Sequence, residues 1–338
     1  MRIRLNDRFR PFSHKPGISC LLPGTSFQFQ FYPTKIYVHD LVDLNGDCIA
    51  DISVKLKAPI EGFTVQQNLE KGIISVWGHA EGKYFCYHIF PHQDIWKIYL
   101  EKGENLFLFE TAQQLTHSLN KPEERLSFGV HKAQCWDQIR SRCQMQEILP
   151  LWHRLALWYT QGDYSCSGGT VELLEKAVQE SKENFLTNMK HAFKASIAEI
   201  LVPRLSDNDF QGYLFSSEPK GSPIGILLKG KEILKKCLIS QDDQRLAILP
   251  SLPSELHCGK YINIPFDKYV IDLEWSKKKL RRLVIRAQQT TTIHLHLPKR
   301  IKSLRLQRKG ENTFQKKNYD ESLAVIGGET YYLDRFES

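Results

Sequence analysis

The hydrophobic period of the chain changes twice, and this feature most restricts the folds that the chain can adopt. Residues 1 to about 130 hold Phe, Tyr, Ile and Val in short runs separated by turn signals such as Pro23-Gly24, as antiparallel strands do. Beyond them the apolar residues recur at three- and four-residue steps, and from about residue 245 the period returns to two. The sequence therefore predicts an α+β fold: an N-terminal antiparallel β-sandwich over 1–130, a helical region over 131–244 and a smaller, basic C-terminal β-sandwich over 245–338.

Four helices are expected in the central region. A helix over 134–149 is predicted to be interrupted at Pro150 and followed by a short aromatic helix over 151–159. The longest amphipathic pattern covers 170–202 and is ended by Pro203. Ser222 as N-cap, with Pro223 behind it, predicts the start of a helix that runs to about residue 240.

The composition excludes several classes of protein. The chain has 338 residues, 41% of them hydrophobic and 25% charged, which is ordinary for a globular protein. Apolar runs stay well short of the roughly 20 residues that a membrane helix needs, and the N-terminus carries no secretory signal pattern. The eight cysteines include no Cys-x-x-Cys spacing. We therefore expect a cytoplasmic protein with reduced cysteines and no membrane span.

Positive charge is concentrated at the C-terminal end. Residues 260–338 hold 17 Lys and Arg against 9 Asp and Glu, a surplus of 8 that equals the net charge of +8 of the whole chain. Such a surface attracts acidic partners, although a solvated outer sheet face explains the same pattern. Aromatic residues are not interleaved with the charges and no nucleic-acid motif is present. An acidic protein surface is therefore the partner expected at this end.

Common catalytic motifs are missing from the sequence. It contains no phosphate-binding Gly-x-x-x-x-Gly-Lys loop, no Gly-x-Ser-x-Gly elbow and no His-Glu-x-x-His helix. His294 and His296 share one face of a predicted strand, but no third metal ligand accompanies them in sequence. Pro91 and a strand context separate His88 from His92. The sequence therefore predicts neither a metal site nor a cofactor.

Two segments carry a resemblance to a known family. Ile248-Leu249-Pro250-Ser251-Leu252-Pro253, followed by Gly259 and by the strand Ile271-Asp272-Leu273-Glu274-Trp275, resembles the start of the C-terminal β-domain of the fucosidase- and galactosidase-type inverting glycoside hydrolases, family ninety-five. Upstream, Asp207-Asn208-Asp209-Phe210-Gln211-Gly212 is similar to that family's Asp-Gly-Asn-Phe-Gly. The similarity covers roughly residues 203–285, and the order of the zones also agrees with the family.

The chain departs from this family where catalysis is concerned. It lacks the family's Ala-Arg-Gly-Gly-Phe element, and about 110 residues separate its two β zones. A barrel of twelve helices, which carries catalysis in the family, needs on the order of 200 residues or more. The resemblance therefore implies a relative that lacks most of the catalytic barrel.

Two functions follow from the resemblance. The first is a non-catalytic scaffold that binds a carbohydrate or a protein partner, with Trp77, Trp136 and Trp152 as rings that could stack on a sugar. The alternative is a reduced inverting glycosidase with a rebuilt site near Asp207, in which Asp207 matches the family's water-activating Asp and in which Asp209 and His257 contact the sugar. No Glu in the sequence can be matched to the family's general acid, so the first function is favoured.

Overall fold

The computed structural model describes residues 3–44, 46–116, 119–130, 132–160, 164–179, 184–209, 211–242, 245–298, 301–311, 313–318 and 322–337. The fold is mixed, with 17% helix and 42% strand. Several sheets are antiparallel, and five helices lie in the described part of the chain. The predicted α+β class is confirmed.

The N-terminal region forms two antiparallel sheets. Its strands are β1 (Phe12–Ser13), β2 (Ile18–Leu21), β3 (Phe27–Tyr32), β4 (Lys35–Asp40), β5 (Cys48–Ser53), β6 (Ile60–Asn68), β7 (Ile73–Ala80), β8 (Lys83–His92), β9 (Ile95–Lys102) and β10 (Arg125–Ser127). One sheet has the order β1-β6-β7-β8-β9 and is called here the five-stranded sheet; the other has the order β2-β3-β4-β5.

The apolar faces of these two sheets contact each other. Alternation along the strands buries Phe29 on β3 and Val76 on β7 completely. The Phe29 ring meets Trp96 of β9 edge-on, with 5.4 Å between centroids. Gln67 of β6 donates its side-chain N–H to the carbonyl of Leu21 on β2 at 2.7 Å. The opposite face of the five-stranded sheet does not take part in this contact.

The helices begin and end at residues that differ from those predicted. They are α1 (Trp136–Arg142) and α2 (Met145–Ala156), then, after β11 (Cys166–Ser167), α3 (Val171–Gln179) and α4 (Phe185–Ser196). The predicted break at Pro150 is wrong, because Pro150 lies inside α2. The chain instead leaves the helical conformation at Cys143, which has a left-handed φ of 48° and donates its N–H to Ile139.

The long helix predicted over 170–202 is also wrong. Residues 180–183 lie outside the described residues, and α4 ends at Ser196, where β12 (Ile197–Ala198) turns back onto β13 (Val202–Pro203). After β14 (Lys220–Gly221), α5 (Ile224–Leu238) follows the predicted Ser222-Pro223 start, and Ser222 Oγ accepts the N–H of Ile224. In the described residues, none of the helices has the length and apolar character needed to cross a membrane.

The C-terminal region consists of strands, as its period of two predicts. After β15 (Ile239–Asp242) come β16 (Arg245–Ile248), β17 (Gly259–Pro265), β18 (Tyr269–Ser276), β19 (Lys279–Ala287), β20 (Thr291–His296), β21 (Ser303–Arg308), β22 (Gln315–Asn318), β23 (Ser322–Val325) and β24 (Thr330–Glu337). They form a sheet ordered β10-β17-β18-β19-β24-β21-β22 and a sheet ordered β15-β16-β20-β23, in which β16 and β20 are parallel. The prediction that this region is a second, smaller β-sandwich stays a prediction.

Both predicted zone boundaries fall next to strands that are shared between zones. β10, from the N-terminal zone, pairs with β17 in the seven-stranded sheet, where Leu126 lies opposite Tyr261. β15, from the helical zone, pairs with β16. The zones of the sequence are therefore joined by backbone hydrogen bonds and not by linkers alone.

A buried polar network joins the three zones close to β10. His153 Nε2, on α2, lies 3.1 Å from Glu124 Oε1 and 3.0 Å from the hydroxyl of Tyr261 on β17. Tyr261 also donates its hydroxyl proton to Glu124. Arg154 donates to the backbone carbonyl of Glu124 at 3.0 Å, and Lys235 of α5 lies 4.0 Å from the carboxylate. Despite burial, the contacts with His153, Lys235 and Tyr261 lower the pKa of Glu124 to about 2.

Candidate functional site

Asp207 and Asp209 lie in the loop that follows β13, and one guanidinium group faces both. Arg204 Nη2 lies 2.6 Å from Asp209 Oδ2 and 3.9 Å from Asp207 Oδ1. Arg140 of α1 lies 3.6 Å from Asp209. The hydrogen bond from Arg204 is the main cause that lowers the pKa of Asp209. Asp209 is therefore ionised near neutral pH and is unsuited to donate a proton as a general acid.

Asp207 lines an open cleft of about 330 Å³ together with Tyr213 and Phe215. Its Oδ2 accepts the backbone N–H of Gln211 at 2.8 Å. Its Oδ1 is buried and has no hydrogen-bond partner among the described residues. Of the described side chains that line this cleft, Asp207 is the one carboxylic acid. This position suits a base, but it supplies one carboxyl group where inverting hydrolysis needs two.

Glu172 is bound to the rim of the same cleft and does not supply the missing acid. Its carboxylate accepts the backbone N–H groups of Ser216 and Ser217 at 2.9 and 2.8 Å. These hydrogen bonds lower the pKa of Glu172 to about 2. A general acid must hold its proton near neutral pH. The contacts of Glu172 instead fix the loop in which Ser217 lies.

The predicted sugar-stacking residues are found in different places. Trp136 and Trp152 are 0% and 1% exposed, so neither ring is available to a sugar, and the prediction is wrong for these two. His257 is exposed, and its Nδ1 contacts the carbonyl of Glu255 at 3.1 Å. Within the described residues no hydrogen bond joins His257 to Asp207 or Asp209, so the predicted three-residue site is not assembled by contact.

Trp77 is the predicted ring that reaches the surface. It lies on β7, on the face of the five-stranded sheet opposite the core, and is half-buried. Further rings share this face, which we call the Trp77 face: His79 and Tyr84, 5.4 Å apart, and His88 and Tyr99, stacked at 6.1 Å with 12° between planes. Tyr84 is 46% exposed. The Trp77 face therefore combines accessible aromatic rings with polar groups.

A cysteine, a histidine and a glutamate converge on the Trp77 face. Cys86 and His88 are two residues apart on β8 and therefore lie on the same face of the sheet. Glu101 approaches them from the neighbouring strand, β9. His88 Nε2 lies 2.8 Å from Glu101 Oε2. Cys86 Sγ lies 3.3 Å from the same carboxylate oxygen and 3.9 Å from His88 Nε2. Cys86 is also the register partner of Trp77. Among the described residues, these three side chains form a group that can hold a metal ion.

Burial and hydrogen bonding set the protonation of this group. Burial, aided by the hydrogen bond to Glu101, raises the pKa of Cys86 to about 11. The hydrogen bond with His88 is the main cause that lowers the pKa of Glu101. The neighbouring hydroxyl of Tyr84 acts in the opposite direction and lowers the pKa of Cys86. With no cation bound, the group is a neutral thiol beside a carboxylate.

Two of the three residues of this group can be placed together from the sequence alone. The spacing Cys86-x-His88 places both side chains on one face of any strand. Glu101 is 13 residues away from His88 in the chain, and its approach depends on the register of the β8–β9 hairpin. That register includes a shift between Cys86 and Tyr87, which hydrophobic periodicity does not encode. The sequence therefore does not predict this cluster, although it contains His88.

No protein-family model and no curated protein matches this chain. The resemblance to inverting glycoside hydrolases therefore stays a prediction.

Proposed function

We propose that the protein is a non-catalytic, glycoside-hydrolase-like scaffold that binds a carbohydrate on the Trp77 face. In this proposal the two N-terminal sheets form a β-sandwich, the C-terminal sheets form a second one, and the helices between them are the reduced remnant of a barrel. The observation that carries the proposal is the accessible row of rings around Trp77. Sugar rings present C–H groups to aromatic faces, and their hydroxyl groups bind neighbouring polar side chains.

The alternative, a reduced inverting glycosidase, is less well supported. Asp207 has an oxygen that accepts no hydrogen bond from the described residues, and it lines a cleft, as a water-activating base needs. Inverting hydrolysis also requires a protonated carboxylic acid about 6.5–9.5 Å away. Asp209 is bound to Arg204 and Glu172 to backbone N–H groups, so the nearby acids described here are held in their ionised form. A binding role needs neither acid.

Docking of an acidic protein is a second candidate function, favoured by the hairpin between β18 and β19. Much of the basic C-terminal surface is neutralised within the fold, for example in the pairs Arg305–Asp334 and Arg308–Glu329, 2.6 and 2.7 Å apart. Lys277, Lys278 and Lys279 are instead exposed at the tip of the hairpin. This tip is where we place a contact with an acidic surface.

The test of the carbohydrate proposal is a ligand panel. Thermal unfolding of the whole chain is measured with soluble fucosides, galactosides and glucans, because a ligand bound by the native state raises the unfolding midpoint. For a sugar that raises it, we expect Trp77→Ala to weaken binding about fivefold, since loss of a stacked ring costs about 1 kcal/mol. The matched control is Tyr32→Ala. Tyr32 is also an exposed ring, 39% accessible, but it lies on the other N-terminal sheet.

Turnover of aryl glycosides is measured in parallel. We expect none above the uncatalysed rate, in the natural chain or in Asp207→Asn. Turnover that Asp207→Asn abolishes would overturn the proposal in favour of the glycosidase. A midpoint shift that is the same in Trp77→Ala and in the natural chain would place the sugar elsewhere.

A further inference from the structure

Three potential metal ligands on the Trp77 face are spaced as ligands of one ion are. With bonds of about 2.0–2.3 Å and tetrahedral angles, the ligand atoms of zinc lie about 3.3–3.6 Å from each other. Glu101 Oε2 lies 2.8 Å from His88 Nε2 and 3.3 Å from Cys86 Sγ, and the sulfur lies 3.9 Å from Nε2. Movements of a few tenths of an ångström in these side chains bring all three atoms to that spacing.

Neighbouring residues orient two of these ligands. A metal-bound Nε2 requires that His88 carry its proton on Nδ1, and Ser75 Oγ lies 2.9 Å from Nδ1 to accept it. The ring of Tyr99 stacks on the imidazole and fixes its plane. The hydroxyl of Tyr84, on the same face, lowers the pKa of Cys86 and so favours the thiolate. The cluster therefore has the outer shell of polar partners that metal sites use.

A cation can take the place of one proton in this group. Without a metal, the contacts are satisfied when the Nε2–H of His88 donates to Glu101 at 2.8 Å and Nδ1 accepts the hydroxyl proton of Ser75. An ion bound to Nε2 replaces that proton, and the imidazole then carries its proton on Nδ1, where Ser75 Oγ accepts it. A divalent ion placed among the three atoms satisfies Nε2, Oε2 and the sulfur together, and it favours the thiolate form of Cys86.

We propose that Cys86, His88 and Glu101 bind a divalent transition-metal ion of the zinc class. Thiolate and imidazole ligands select such ions, whereas magnesium and calcium require oxygen ligands. Three protein ligands leave a fourth position open, as in zinc sites that bind water or a substrate group. Glu101 is half-exposed, with 50% of its side chain accessible, so the open position faces solvent beside Trp77. The metal site does not depend on the carbohydrate proposal.

The test uses the reduced, metal-free full chain and the metal ions alone. Titration with Co²⁺ is expected to saturate at one equivalent, with the near-ultraviolet charge-transfer band of a cobalt–thiolate bond, and Zn²⁺ is expected to displace the cobalt. Cys86→Ser removes the band. Cys86→Ser, His88→Ala and Glu101→Gln each weaken zinc binding, measured by calorimetry, at least tenfold. Because Glu101 is half-exposed, Glu101→Gln keeps the test valid even where another variant fails to fold.

Two matched variants control for other ligands. Cys48 is an exposed free cysteine on β5, and His79 is an exposed histidine on the Trp77 face. Cys48→Ser and His79→Ala are expected to leave the stoichiometry, the band and the zinc affinity unchanged. The proposal is overturned if no stoichiometric binding occurs, if the band survives Cys86→Ser, or if Glu101→Gln binds zinc as tightly as the natural chain. Trp77→Ala keeps all three ligands, so failures of metal binding and of sugar binding are distinguishable.

Discussion

Replacing Glu124 by Gln is expected to lower the free energy of unfolding by about 3–5 kcal/mol. The substitution keeps the shape of the side chain but removes the charge that His153 and Lys235 face. The amide oxygen of Gln can still accept the hydroxyl proton of the buried Tyr261, but the NH2 group that replaces the second oxygen is a donor facing the Lys235 ammonium group. Removing one partner of a buried ionic group leaves the others without compensation. Urea unfolding of the full chain measures the change.

The loss is expected to depend on pH with a definite sign. The pKa of Glu124 is about 2 in the folded protein and about 4.3 in an unfolded chain. Ionised Glu124 therefore stabilises the fold above the unfolded pKa, by about 3 kcal/mol, and this contribution is lost as the pH falls toward 2. The difference in stability between the natural chain and Glu124→Gln should be largest above pH 5 and should shrink in acid.

Glu123 provides the matched control. It is the preceding residue, but it is exposed, and the contact that joins it to Asn263 uses its backbone carbonyl. Glu123→Gln is expected to change stability by no more than about 0.5 kcal/mol. A stability difference for Glu124→Gln that stayed constant between pH 7 and pH 3 would contradict the role assigned to the charge.

Trp152→Ala is expected to destabilise the protein by about 3–5 kcal/mol while leaving the Trp77 face intact. The indole ring is 1% exposed and donates its N–H to the carbonyl of Leu227 on α5 at 3.2 Å. It packs so closely on Gly230 that a methyl group there would lie 2.5 Å from the ring. Its removal leaves a cavity between α2 and α5 and takes the indole hydrogen bond away from the Leu227 carbonyl.

Two further variants separate the causes of this loss. Trp152→Phe keeps most of the ring and removes the N–H, so we expect a loss of about 1–2 kcal/mol. Trp77→Ala, on the half-buried surface ring, is expected to cost less than about 1.5 kcal/mol. Unfolding midpoints in urea give all three values. An equal loss of unfolding free energy for Trp152→Ala and Trp77→Ala would contradict the assignment of Trp152 to the core and of Trp77 to the surface.

Periodicity predicts the strands of this protein better than its helix ends. The alternation along β18 correctly predicts that Tyr269, Ile271, Leu273 and Trp275 share a buried face. The interruption of the central helix does not follow from local preference, because Pro150 is tolerated in the middle of α2 while Cys143 adopts the left-handed conformation. Tertiary packing overrides propensity at both positions.

Functional residues were harder to predict, because they meet across strands. Trp77 was identified from its residue type alone, as were Trp136 and Trp152, and burial separates them only in the folded structure. Cys86 and His88 are two residues apart, but their third partner, Glu101, is brought in by strand register. The pairing of Asp209 with Arg140 likewise joins a loop to a distant helix. Such contacts follow from topology, which a single sequence constrains weakly.

The short strand β10 makes the change of period near residue 130 a poor place to divide the molecule. β10 occupies one end of the seven-stranded sheet and covers the hydrogen-bonding groups of β17. A fragment that starts at residue 131 lacks this cover and presents a bare edge strand, which is a template for pairing with another chain. We therefore expect such a fragment to self-associate, whereas a fragment that starts before Glu124 retains the strand that prevents it.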